Sequence, residues 1–356
     1  MNHRFIFFVL STTLLLTTPA ESADVKKSIS FQETLSITQE DWFPYQITVD
    51  PRGNMYVLSG KQTSFLTFDP SGRETSRRFI PKGQGPGEFN SFDPVITQDG
   101  RFLAADWPQR RLTLLDRDFK VVRMEKMGLY GDIFQVDSKG QRYFLAFKAG
   151  RTRDRNTVVL TKCSQAGDTV KEFASYEWGP RLMGGGSYED DLYRTQLKYA
   201  LDARDNLIYA FSNKYEIFVV SPRGDVLRVI TRDVKPRRVG KADTDRLLPG
   251  PSEKSPYKYV VPGRVPPISG LFPLSDGQLL VVTFEKAEGE KSLAGDLFDE
   301  NGRYVATVKV PRYYHWDFLL APQKSMAVVL DDDFYAIESD AEEETFWVKR
   351  YKIIRE

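Results

Sequence analysis

The strongest constraint on this chain is a pair of tight-turn signals that recurs along most of its length. One set reads Asp50-Pro51-Arg52-Gly53, Asp99-Gly100, Asp137-Ser138-Lys139-Gly140, Asp205-Asn206, Asp276-Gly277 and Asp331-Asp332-Asp333. A second set follows each of the first five: Asp69-Pro70-Ser71-Gly72, Asp116-Arg117-Asp118, Gln165-Ala166-Gly167, Ser221-Pro222-Arg223-Gly224 and Asp299-Glu300-Asn301-Gly302. Gly53 and Gly72 are 19 positions apart, Asn206 and Gly224 18. Asp, Asn and Gly suit such turns because tight hairpins need positive φ or a side chain that bonds its own backbone. Short apolar runs of strand length separate the turns. Two hairpins per unit make a four-stranded antiparallel sheet, and repeated units of that size predict a ring of blades, an all-β propeller.

The repeats predict five complete blades, at about 45–80, 92–126, 132–175, 197–232 and 268–310. A sixth has three good strands within 326–354 and lacks its outer one. Residues 28–37, Ser28 to Ile37, alternate in strand fashion ahead of the first blade and are the expected donor. A first strand completing the last blade closes the ring and removes exposed sheet edges. The expected fold is therefore a six-bladed β-propeller in one domain spanning 24–356.

The second unit carries the most specific motif. Gly83, Gly85-Pro86-Gly87 and Phe89 form a Gly-rich turn, followed by Pro94, Asp99-Gly100, Ala105-Asp106 and Arg111-Leu112. Over residues 82–122 this order resembles the NHL repeat. The resemblance implies the propeller fold and says little about activity, because one fold hosts many functions. The turn lacks the Lys-Ser/Thr ending of a phosphate-cradling loop, and no helix pattern follows it. It reads as a connection between blades.

Lys and Arg total 50 against 49 Asp and Glu, so no global field draws in nucleic acid or an anionic membrane. Arg4, the apolar stretch Phe5 to Leu16, and the small residues Thr18, Ala20, Ser22 and Ala23 read as an export signal over 1–23. The expected destination is the periplasm or the exterior, with no membrane span after signal removal. Cys163 is the single cysteine, so no internal disulfide is expected; it lies in an apparent strand, as a small buried hydrophobe would.

Catalytic chemistry finds little support. There are two histidines, and His3 lies in the export segment, which leaves His315 without a partner histidine for acid–base exchange or a zinc site. Propellers of the gluconolactonase and regucalcin kind hold a cation in the channel with Glu, Asn and Asp. Here the acidic clusters are Asp331-Asp332-Asp333, which reads as a hairpin turn, and Glu189-Asp190-Asp191, which reads as a solvated loop. Neither has the spacing of a dedicated calcium loop. The expectation is no cofactor, with calcium as the alternative, and no catalytic or metal-ligating set.

Two insertions stand out. Residues 176–196 contain Gly184-Gly185-Gly186, and residues 233–267 contain seven prolines. Long connections inside a compact domain are usually functional or disordered. Both join an outer strand to the next inner strand, and in a propeller such connections share one face with those between second and third strands. The candidate binding residues on that face are Trp107, Gln109 and Arg110; Arg151, Arg153 and Arg155; Lys214; and Arg237, Arg238, Tyr257, Tyr259 and Arg264. Over 233–267, eight basic residues meet four acidic ones, which suits an acidic protein or an anionic glycan. The expected function is non-catalytic recognition of a protein or glycan. A cation-dependent hydrolase or lactonase and a structural subunit of an envelope complex are the alternatives.

Overall fold

The computed structural model describes residues 28–40, 42–60, 64–129, 131–149, 156–183, 187–241, 243–244, 257–286, 292–313, 326–340 and 344–356. The export segment, Arg151, Arg153, Arg155 and His315 lie outside the described residues.

Six four-stranded antiparallel sheets make the blades. Blade 1 is β2 (Pro44–Val49), β3 (Met55–Ser59), β4 (Ser64–Phe68) and β5 (Glu74–Phe79). Blade 2 is β6 (Asp93–Ile96), β7 (Phe102–Asp106), β8 (Arg111–Leu115) and β9 (Val121–Lys126). Blade 3 is β10 (Gly131–Val136), β11 (Arg142–Ala149), β12 (Asn156–Cys163) and β13 (Thr169–Trp178). Next in the chain come two short strands outside the blades, β14 (Arg181–Leu182) and β15 (Tyr188–Asp191). Blade 4 is β16 (Leu197–Leu201), β17 (Leu207–Phe211), β18 (Glu216–Val220) and β19 (Val226–Thr231), after which comes a third extra strand, β20 (Tyr257–Val260). Blade 5 is β21 (Gly270–Pro273), β22 (Leu279–Lys286), β23 (Ser292–Phe298) and β24 (Tyr304–Pro311). Blade 6 is β25 (Ala327–Leu330), β26 (Asp333–Ser339) and β27 (Phe346–Arg355), completed by β1 (Ile29–Ile37).

That last pairing is antiparallel and joins the two ends of the chain, Ile29 opposite Arg355 and Ile37 opposite Val348. Ile29 and Ile37 are buried in the closing seam. Lys349 Nζ holds Glu33 at 3.1 Å, and Arg350 Nη1 donates to the Pro70 carbonyl of blade 1 at 2.9 Å. At the other end Trp42 Nε1 donates to the Phe346 carbonyl at 3.0 Å.

The core is a set of inter-blade layers, as expected when both faces of each blade meet a neighbour. Tyr56, Leu58 and Phe65 pack on Phe92 and Phe102 between blades 1 and 2. Leu103 and Leu112 meet Phe144 and Cys163 between blades 2 and 3. Tyr143 and Leu160 meet Leu197 and Leu207 between blades 3 and 4, and Ile208 and Ile217 meet Leu271 and Val281 between blades 4 and 5. One larger layer runs from blade 5 through blade 6 to blade 1, containing Leu280, Phe334, Ile337, Val57 and Leu66. Cys163 is buried and free, and burial pushes its thiol up.

Because strand order in each blade follows the chain, successive connections alternate between two ends of the ring. At one end lie the hairpins. In all of them but the two-residue β25–β26 turn, the first residue's N–H and C=O close the turn: Asp50 N donates to Asn54 O at 3.0 Å and Gly53 N to Asp50 O at 2.8 Å. The same two bonds recur at Asp69, Thr97, Asp116, Asp137, Ser164, Asp202, Ser221, Leu274 and Asp299. The fourth residue takes a positive φ, 81° at Gly53, which glycine adopts without a Cβ penalty. Asp205 and Phe119 occupy the same position at 61° and 63°. Phe119 is kept there by its ring, stacked on Phe102 at 4.7 Å.

Candidate functional site

At the other end, the rim, the connections are unlike one another. In blade 2 the β7–β8 turn presents Trp107, partly exposed, and Arg110, exposed with φ at 50°. Gln109 Nε2 donates to the Gly83 carbonyl at 2.5 Å, which ties this turn to the Gly-rich connection. Arg111 holds the same connection from below: Nη1 donates to Gln84 O and Gly85 O at 3.0 and 3.2 Å, and Nη2 bonds Glu88 O. Buried Asp106 accepts from Asn90 N at 3.0 Å and Ser91 N at 3.3 Å, while Glu88 Oε2 accepts from Gly85 N at 2.8 Å. The Gly85 amide is thus already engaged. The motif is a clamped joint between blades 1 and 2.

The two long connections do something the sequence reading did not anticipate. They meet. β14 and β15 form a hairpin, and β20 pairs with β15 in parallel, Glu189 opposite Lys258 and Asp190 opposite Tyr259. One connection leaves blade 3 for blade 4 and the other leaves blade 4 for blade 5, so the pairing spans blade 4 at the rim. Leu192 N extends the ladder to Val260 O at 2.9 Å. Beneath it Leu192, Tyr193, Val265 and Phe284 form a small buried cluster, joined by partly buried Val239.

Glu189-Asp190-Asp191, expected as a solvated loop, is instead strand β15, and Asp190 is buried. The reason is a partner four residues on: Arg194 Nε donates to Asp190 Oδ1 at 3.1 Å and Nη2 to Oδ2, and the guanidinium lies 5.1 Å from the Trp178 ring centroid. A carboxylate so chelated can leave water, where an unpaired one could not. Next to the pair is a pocket of about 150 Å³ lined by Glu177, Gly179, Arg181, Glu189, Asp190, Asp191, Arg194 and Thr195. Sequence reading missed Arg181, Arg194 and Thr195; the Asp190–Arg194 spacing was the available signal.

The remaining expected residues are spread over this rim. Lys214 is exposed in the β17–β18 turn. Tyr257 and Tyr259 are part of β20, and exposed Arg264 donates Nη1 to the Pro236 carbonyl and bridges Arg238 through the backbone. Arg237 is chelated by Asp243 at 2.6 and 2.7 Å, and that carboxylate raises its guanidinium further above the ordinary value. Its amide donates to Glu285 Oε1 at 2.8 Å. Part of the basic excess of the long connection is therefore matched internally, while Lys235, Arg238, Lys241, Lys258 and Arg264 stay exposed.

Among the described residues, no three His, Cys, Asp or Glu side chains converge to hold a metal ion. In the Asp331-Asp332-Asp333 cluster, Asp331 sits in the hairpin with φ at 52°, and Asp332 pairs with Arg355 at 2.5 Å.

No protein-family model matches the sequence, and no curated protein does. Solved structures do resemble the fold. A member of the DUF4221 family from Bacteroides vulgatus superposes with a TM-score of 0.56 at 11% identity, over 92% of this chain and 99% of that one. A candidate exported protein from Bacteroides fragilis gives 0.51 at 14% identity, over 93% and 96%. The calcium-binding protein regucalcin from Agrobacterium tumefaciens gives 0.46 at 12% identity, over 90% and 96%. These likenesses are of fold alone. The chain is a six-bladed β-propeller, and the NHL resemblance of blade 2 is not matched by a family assignment.

Proposed function

We propose that this protein is an exported propeller that binds a protein or glycan through its rim, without catalysis. The observation that carries the reading is the rim sheet. Two connections of unequal sequence, separated by an entire blade, pair with each other and bury their own apolar cluster and ion pair. Ordering that much backbone costs about 1–2 kcal/mol per residue, which short turns between the blades would not require. A fixed, laterally extended surface is the product, as recognition requires.

The exposed Lys235, Arg238, Lys241, Lys258 and Arg264, together with Trp107 and Arg110, favour an acidic partner. Export is supported by Arg4 followed by the apolar stretch Phe5 to Leu16. The test is capture from an envelope extract by the intact protein and by an Arg110→Glu, Arg151→Glu, Arg264→Glu variant, at low and high salt. Partners should be lost in the variant and weakened by salt. An unchanged, salt-indifferent set of partners would place the working surface elsewhere.

A further inference from the structure

The outer strand of each blade has an open edge, and natural proteins guard such edges with charge. Five of the six do so here. β1 exposes Glu33, β5 Arg77 and Arg78, β9 Arg123 and Lys126, β13 Glu172 and Glu177, and β24 Lys309. β19 is the exception. Its exposed residues are Val226, Leu227, Val229 and Thr231, the three aliphatic ones at 58%, 52% and 45% of full exposure. Its one charged residue, Arg228, donates to the Glu300 carbonyl of blade 5 and so is turned toward the neighbouring blade. Among the described residues, β19 pairs with β18 alone.

The surroundings of this edge are asymmetric in charge. At the hairpin end of β19, exposed Arg223 and Asp225 balance. At the rim end, the chain runs directly into the long connection, where exposed Lys235, Arg238 and Lys241 face one exposed carboxylate, Asp233. Blade 4 is also the blade spanned by the rim sheet, so the unguarded edge is continuous with the proposed binding face.

We propose that β19 receives an extended segment of the partner by strand addition, an alternating apolar segment whose rim-side end carries acidic residues. Main-chain bonds along an open edge supply affinity, and alternate side chains supply selectivity. Leu227 and Val229, on one side of the strand, meet the incoming apolar residues; the basic stretch after Thr231 meets the carboxylates. This rests on the rim reading above and extends it by naming the partner's conformation and charge.

The experiment titrates the full chain with the fluorescent peptides EEVTVTV, KKVTVTV, VTVTVEE and EEVTPTV. One acidic peptide, EEVTVTV for antiparallel or VTVTVEE for parallel addition, should bind saturably and slow hydrogen exchange at 226–231. The lysine-headed and proline-broken peptides should bind at least about tenfold more weakly. Val229→Lys, exposed and therefore tolerated by the fold, should abolish binding, and Arg238→Glu with Lys241→Glu should weaken it about tenfold. No binding by any peptide while rim-dependent capture persists overturns strand addition and leaves the rim reading intact. Binding that ignores Val229→Lys, or a dimer in light scattering that this substitution dissolves in the absence of peptide, likewise overturns it.

Discussion

At the hairpin end, Asp50, Asp137 and Asp202 each use one carboxylate oxygen to accept two amides of their own turn, all at 2.8–3.0 Å. At the rim end, Asp190 uses both oxygens on Arg194, four residues on, while its strand β15 pairs with β20 from the other long connection. The first arrangement is local. Each turn satisfies itself within five residues, so the sequence around it can be copied from blade to blade. The second depends on two connections finding each other across blade 4, and nothing in the local chain repeats. Regularity belongs to the end that builds the ring, and irregularity to the end free to acquire a ligand.

Removing β1 should have the largest effect, because it damages the ring that both ends share. Loss of residues 29–37 uncovers the β27 edge and removes buried Ile29 and Ile37, at about 2 kcal/mol each. The expected result is a stability loss of about 4 kcal/mol or more with aggregation, read by thermal unfolding and light scattering. A melting point within a degree or two of the intact chain would show that the seam does not close the ring.

The next effect separates the ends. Asp190→Ala leaves Arg194 buried without its carboxylate, at a cost of about 3 kcal/mol. That loss should fall on the rim sheet: hydrogen exchange at 188–191 and 257–260 accelerates while blades 1, 2 and 6 keep their protection. Uniform acceleration would mean that rim and ring unfold as one unit. Asp50→Ala, at the hairpin end, frees two turn amides and removes the acceptor of the Asn54 side-chain amide and the buried Tyr56 hydroxyl; it should cost about 1–3 kcal/mol, with the change centred on blade 1.

Acid should weaken the blade 2 hairpin and the contact between blades 5 and 6 gently. Arg355, and then Ser275, hold the Asp332 carboxyl below its ordinary value, and Arg101 and Thr97 bring Asp99 down to about 2. The folded state then binds fewer protons than the unfolded one. Their contribution is complete above the unfolded value of 3.8 and declines as pH falls through the lowered folded-state values, about 2 for Asp99. Both carboxylates are well exposed, so the slope should be shallow. Arg355→Met should remove the part due to Asp332; an unchanged acid profile would sever that link. Smallest of all is the expected effect of the Arg110 and Arg264 substitutions on folding, below about 0.5 kcal/mol, since exposed charges contribute little to stability.

The contrast also explains what the sequence made legible. The six blades and their closure follow from Asp, Ser and Gly at fixed turn positions and from alternation in Ser28 to Ile37, all local signals. Even blade 4, where Asp205 replaces glycine, kept enough of the pattern to be placed. The rim did not reveal itself this way. Tyr188-Glu189-Asp190-Asp191 looks solvated because three consecutive acids usually are, and its burial depends on Arg194, four residues past Asp190, and on β20, 66 or more residues away. Tyr257-Lys258-Tyr259-Val260 is short and follows a Pro-rich stretch, so its pairing is a tertiary fact. Gln109 was legible as a rim residue, and its bond to Gly83 was not, because that contact joins the β7–β8 turn to the connection leaving blade 1.

The measurement that bears most directly on the division between the two ends is hydrogen exchange on the complex captured from the envelope extract, compared with the free protein. The expected protection lies at 107–110, 188–194 and 257–264, together with β19, while the hairpins at 50–54, 137–141 and 202–206 exchange as before. Protection confined to those hairpins, with the rim unchanged, would contradict the assignment of the binding face.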